Sequence, residues 1–163
     1  MTSKFLTILV LFNFLLGIFL GYLLTEFLAP EAATQANPRV YIAPADRISE
    51  SQIYLTGDKV IIDLKGREAS WAQYADSNSM LPVLDNGHNG IEIKPKSTGE
   101  IHVGDIITWL DQATGSLVVH RVVEIGNDEA GWFALTAGDN NAKGDSKKVR
   151  FEDVKWVLVG IIY

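Results

Sequence analysis

The chain has 163 residues, enough for one domain and a short appendage. Its net charge is −6, and no basic stripe with interleaved aromatics runs through it, so nucleic acid is excluded as the expected partner. It has no cysteine, which rules out disulfides, a thiol nucleophile and thiolate metal sites.

The first predicted element is a membrane helix. In "FLTILVLFNFLLGIFLGYLLTEFLAP" no residue from Phe5 to Thr25 is charged. As a helix, Phe5 to Leu28 would be about 36 Å long, enough to cross a hydrocarbon core of roughly 30 Å with some tilt. Helix is the required form, because lipid satisfies no backbone N–H or C=O. A cleaved secretory signal would have a shorter apolar core and a small-x-small site. The core here is longer, although "ATQA" beyond it keeps cleavage open. Residues 1–30 are therefore expected to be a retained single-pass anchor in the cell membrane. Lys4 and the amino terminus precede the span, and Glu26 and Glu31 lie at its far end. The positive-inside rule then places the N-terminus in the cytosol and the rest outside. Gly17 and Gly21 have the small-xxx-small spacing that lets two helices approach, so a homodimer is one reading. Glycine is also common in membrane helices generally.

Residues 31–38 are rich in Ala, Thr, Gln and Pro, without apolar period, and read as a linker. From residue 39 onward the pattern changes. "RVYIA", "QIYL", "KVIIDL", "ASWAQYA", "GIEIK", "DIITWL", "SLVVHRVVEI", "GWFALTA" and "KWVLVGIIY" are short runs rich in Val, Ile, Trp, Tyr or Thr. Turn signals such as "TGD", "KGR", "DNG" and "ATG" separate them. No stretch here keeps a helical apolar period for three turns. Residues 39–163 are thus expected to form one all-β domain, a partly closed barrel or a pair of packed sheets.

Chemistry-bearing residues stand out at a few places. "DSNSMLPVLDNG" puts Ser77 and Ser79 around an asparagine, an order no plain turn requires. A serine hydroxyl needs a base within reach and donors for an oxyanion before it can act as a nucleophile. Of the three histidines, His88 lies in a loop expected to be solvated, and His102 begins the "IHVGD" turn. His120 sits inside a strand, sharing one face with Val118 and Val122. Alone, it also reads as a core histidine bonded to backbone. Asp139 and Asp145 in "TAGDNNAKGDSKK" could orient an imidazole, or could serve turn chemistry. The histidines have no ligand spacing such as His-x-x-x-His, and no glycine-rich loop joins a strand to a helix. No metal and no cofactor is expected.

The order of these segments is more specific than any one of them. "SNSMLP", "GDIITW", "VVHRVVEI", "FALTAGDNNAKGD" and "VLVGIIY" resemble the signal peptidase I family of S24/S26 serine peptidases. They resemble most the Ser-His branch of archaea and the endoplasmic reticulum. The resemblance runs from Ala75 to Tyr163, with the N-terminal anchor. It implies a signal-peptidase-like β fold with a catalytic core over residues 75–163. It also implies Ser79 as nucleophile, His120 as general base where the bacterial branch has lysine, and Asp145 as the carboxylate that orients His120. Ser77 would help stabilise the oxyanion, and Asp139 would support the site. The family usually has glycine where Asn78 stands, and asparagine is among the residues that best tolerate positive φ. The region 39–71 looks like an added hairpin without a firm family counterpart.

The implied activity is a membrane-anchored serine endopeptidase that removes signal peptides from exported preproteins. Its partners would be those preproteins and the lipid membrane. A related peptidase with a narrower precursor substrate is a second reading. An inactive, membrane-tethered peptide-binding β-domain is a third.

Overall fold

The computed structural model describes residues 42–163. The expected anchor, the linker and the Gly17/Gly21 pair lie outside the described residues. No helix among the described residues is long and apolar enough to cross a membrane.

Eight of the nine apolar runs become strands. They are β1 (Ile53–Thr56), β2 (Lys59–Ile62), β3 (Ala69–Gln73), β4 (Asn89–Ile93), β5 (Ile106–Asp111), β6 (Ser116–Asp128), β7 (Gly131–Ala137) and β8 (Val154–Ile162). The only helical turns among the described residues are three short 3₁₀ turns. The domain is all-β, as expected.

The ninth run, "RVYIA", forms no strand in its described part. Ile42 and Ala43 are irregular and lie over the turn at Gly104. Gly104 has φ of +101°, and a Cβ there would strike the Ala43 carbonyl oxygen. Two residues on, the Ala45 N–H is taken by Asp105 Oδ1 at 3.0 Å. A side chain, rather than a neighbouring strand, receives this segment's backbone donor.

β1 and β2 pair as a hairpin of their own, closed by Gly57 at φ +60°. The other six strands make one antiparallel sheet in the order β3-β4-β8-β5-β6-β7. It is open, since β3 and β7 are its edges and are not paired with each other.

Alternation along the inner strands builds two cores. Ile107, Trp109, Val122, Val154 and Val157 belong to one, and Ile106 and Leu158 belong to the other with Met80 and Leu84. That explains why "IITW" is apolar at consecutive positions: β5 is buried on both faces.

Strand β6 matters most for position. Its first half pairs with β5 from Ser116 to Arg121, and β7 joins it only from Arg121 onward. Among the described residues, Ser116–His120 thus has a strand partner on one side only. A bulge between Val122 and Glu124 bends the strand just beyond His120.

Candidate active site

Ser79 lies in the long loop between β3 and β4. Met80 anchors that loop, with 4% of its surface exposed, in the core beside Leu84, Ile106 and Leu158. Its carbonyl accepts from the N–H groups of Val83 and Leu84, at 2.9 and 3.0 Å, which winds the chain back on itself. Asn78 takes φ of +58°, the left-handed region that asparagine tolerates and most side chains avoid. The Leu81–Pro82 peptide is cis.

A second loop, after β7, holds the first. Asn140 N–H donates to the Ser79 carbonyl at 2.8 Å, and Asn140 Nδ2 donates to the Asn78 carbonyl at 2.9 Å. Gly138 is pressed against the same place, where a Cβ would sit 2.5 Å from the Ser79 carbonyl oxygen. The neighbour is backbone and cannot swing aside. Gly138→Ala is therefore expected to displace Ser79 and to destabilise the fold by about 1–3 kcal/mol, read from urea unfolding.

His120 comes from β6, where the register sets it opposite Ile107. It is 8% exposed. Its Nε2 lies 3.3 Å from Ser79 Oγ, and its Nδ1 lies 2.7 Å from Asp145 Oδ2. A carboxylate only accepts, so Nδ1 carries the proton and Nε2 is left to accept from the serine hydroxyl.

Asp145 is tied to β7 twice. Its N–H donates to the Thr136 carbonyl at 2.7 Å, and Thr136 Oγ1 donates to its Oδ2 at 2.5 Å. Burial pushes the Asp145 carboxyl up, but hydrogen bonds from His120 and Thr136 outweigh it and hold the pKa below the ordinary 3.8. A lowered folded-state pKa means that the ionised form favours folding. That contribution is present above the ordinary value and is lost as pH falls through the lowered one. Asp145→Asn is expected to be less stable than the native chain at neutral pH, with the gap shrinking as unfolding is followed into strong acid.

Ser77 is exposed beside the serine. Its Oγ lies 3.1 Å from Ser79 Oγ and accepts from the Ser79 N–H at 3.5 Å, so that N–H and the Ser77 hydroxyl sit side by side next to Ser79 Oγ. Asp139 is held by Arg121. Its two oxygens accept from Arg121 Nε and Nη2, both at 2.7 Å, in a buried bidentate pair. Arg121 Nη1 donates to the Gly104 carbonyl at 2.7 Å. The pair ties β6 to the loop that holds Ser79.

The other two histidines make their contacts elsewhere. His88 is half-buried rather than solvated: its Nδ1 accepts from Asp85 N–H, and its ring meets Tyr163 edge-on at 4.5 Å. His102 is exposed beside Arg47 and Asp105. Among the described residues, no set of three His, Asp or Glu side chains is grouped to hold a metal.

Sequence reasoning gave no role to Thr136 or Arg121. Arg121 stood within the quoted "HRV" segment. Thr136 reads simply as a strand former, and only the register reveals its bond to Asp145.

Such a hydroxyl–imidazole–carboxylate relay can take a proton from Ser79 as its oxygen attacks a carbonyl, which is the chemistry of serine hydrolases. No protein-family model matches the chain. The chain is similar to the protein named signal peptidase I W from Bacillus subtilis (strain 168), at 34% identity over 84 residues. The match covers 52% of this chain and 44% of the relative, so the chain spans less than half of that protein's length. The likeness supports the signal peptidase I family and leaves its branches undistinguished.

Proposed function

We propose that this protein is a serine endopeptidase of the signal peptidase I type, anchored in the cell membrane by Phe5 to Leu28, that removes signal peptides from exported preproteins. The amino terminus would face the cytosol and the β-domain the outer side. The observation that carries the reading is the continuous path from Asp145 through His120 to Ser79 Oγ. The motif order and the likeness to a protein named signal peptidase I W support it. Histidine rather than lysine as the base favours the Ser-His branch.

In the reaction, Ser79 Oγ attacks the scissile carbonyl and His120 Nε2 receives its proton. The tetrahedral oxyanion is held by the Ser79 N–H and the Ser77 hydroxyl. His120 then returns the proton to the leaving amine, and the acyl group stays on Ser79. Water, deprotonated by His120, releases the acid product. Asp145 and Thr136 keep the imidazole in the required tautomer throughout.

Two open strand edges favour an extended peptide as substrate. Among the described residues, β3 is unpaired on its outer side, and Ser116–His120 of β6 has no strand partner on the side where β7 pairs farther along. Residues of both border the same cleft as Ser79. A peptide docking there would gain main-chain bonds whatever its side chains.

Full-length protein in detergent or lipid nanodiscs, incubated with a preprotein, is expected to release the mature chain, and a serine-directed covalent probe is expected to label Ser79. Absence of both cleavage and labelling would overturn the reading.

A further inference from the structure

The β1–β2 hairpin pairs with no other strand among the described residues. Its register sets Ile53 opposite Ile62 and Leu55 opposite Val60, so these four side chains share one wholly apolar face. Leu55 and Val60 stand 82% and 65% exposed, and Tyr54 and Ile61 on the other face are exposed too. A two-stranded hairpin is marginal by itself. This one is clamped at its base: the Asp63 N–H donates to the Gln52 carbonyl at 2.8 Å, and Gln52 Nε2 donates to the Asp63 carbonyl at 2.6 Å. Gln52 is itself buried. The ribbon is thus held in shape while its apolar side chains stay in the open, and a patch of that kind marks a docking surface.

The apolar face borders a groove of about 640 Å³. Ile53 and Ile62 line it together with Val83, Ile106, Leu158 and Ile161. Two of its charged residues, Arg47 and Arg121, are held by the buried Asp105 and Asp139. Tyr163 lines it too, and with Ile162 it continues the exposed apolar surface at the end of the chain. The strongest contacts of protein interfaces come from Trp, Tyr and Arg, with Leu and Val under-represented. Branched aliphatic side chains, which ask for no hydrogen-bond partner, suit hydrocarbon instead. Chain length points the same way. Thirteen residues separate Leu28, the end of the apolar N-terminal stretch, from Ile42. Fully extended, they reach about 50 Å. An anchor at Phe5 to Leu28 therefore keeps the domain beside the bilayer, at a high effective concentration of lipid.

We propose that the β1–β2 hairpin and the groove it borders are a second, interfacial contact with the lipid bilayer. Leu55 and Val60 sit among the outer ends of the acyl chains, while the polar turn at Gly57 and Asp58 stays at the level of the headgroups. The contact adds to the anchor and fixes how the domain faces the membrane. It rests on the anchored reading for its nearness to lipid.

The test uses the full-length protein at one copy per phosphatidylcholine–phosphatidylglycerol nanodisc. The chain has no cysteine, so each variant carries one environment-sensitive fluorophore. Leu55→Cys and, separately, Val60→Cys report on the hairpin, Leu16→Cys on the anchor, and Glu129→Cys on the exposed turn between β6 and β7. Lipid spin-labelled on its acyl chains is expected to quench the probes at Leu16, Leu55 and Val60 and to spare the one at Glu129. The two hairpin probes should also emit to the blue of the Glu129 probe. Quenching at Leu16 without quenching at Leu55 or Val60 overturns the docking and leaves the anchor standing. Quenching at Leu55 and Val60 alone upholds the docking and removes the anchor, and quenching at none of them removes both. A blue shift that comes without lipid quenching, and only with two copies per disc, shows a second copy covering the hairpin and likewise overturns the proposal.

Discussion

Replacement of Ser79 by alanine is expected to lower kcat by about 10⁶-fold, to the residual level that oxyanion donors and binding alone provide. With Ser79 as the proposed nucleophile and His120 as the proposed base acting as one unit, His120→Ala should cost about as much, and the double variant little more. The Ser79 side chain is partly exposed and its loop is held by other atoms: the Met80 side chain, the Ser79 carbonyl and the Asn78 carbonyl. Its loss should leave the unfolding free energy within about 0.5 kcal/mol of the native protein. Measured together, single-turnover cleavage and urea unfolding separate chemistry from folding. A Ser79→Ala protein that cleaves at the native rate removes the proposed nucleophile.

The largest expected effect on stability lies at Arg121 and Asp139. Both are buried and joined by two parallel charge-assisted hydrogen bonds. Arg121→Ala should destabilise the domain by about 3–5 kcal/mol, because the buried Asp139 then loses both bonds and the charge of Arg121. The same substitution also frees the Gly104 carbonyl. Replacing both partners by apolar residues of similar size should recover much of the loss, since the expense of desolvating two charges disappears with them. Urea denaturation of the two single variants and the double variant measures this directly. A double variant no more stable than the singles would show that the pair itself, not the unpaired charge, holds the fold.

Much of the fold is legible in the amino-acid order. Val, Ile, Trp and Thr at alternate or consecutive positions, cut by Gly-containing turns, mark eight strands. The described end of "RVYIA", Ile42 and Ala43, lies in no strand, although the run has the composition of one. What differs is its surroundings: Asp105 and the tight turn at Gly104 receive it, and such neighbours are invisible in a local window. Strand order is not legible either, because β8 inserts between β4 and β5, far from both in sequence. The meeting of Ser79, His120 and Asp145 follows from the order of short motifs, each weak alone. Glu92 and Thr136 carry no such signature. One reads as a polar residue on an exposed strand face and the other as a β-branched strand former, and only burial and register give them partners.

The rim of β3, unpaired among the described residues, has a consequence for handling the protein. A rim that bonds any extended backbone does not ask whose backbone it is. Trp71, 58% exposed on that strand, adds apolar area to the invitation. At high protein concentration, a neighbouring copy's own rim competes with the intended guest, so specific turnover should decline as the stock is concentrated and return on dilution. Denatured chains in a crude extract would act as decoys in the same way.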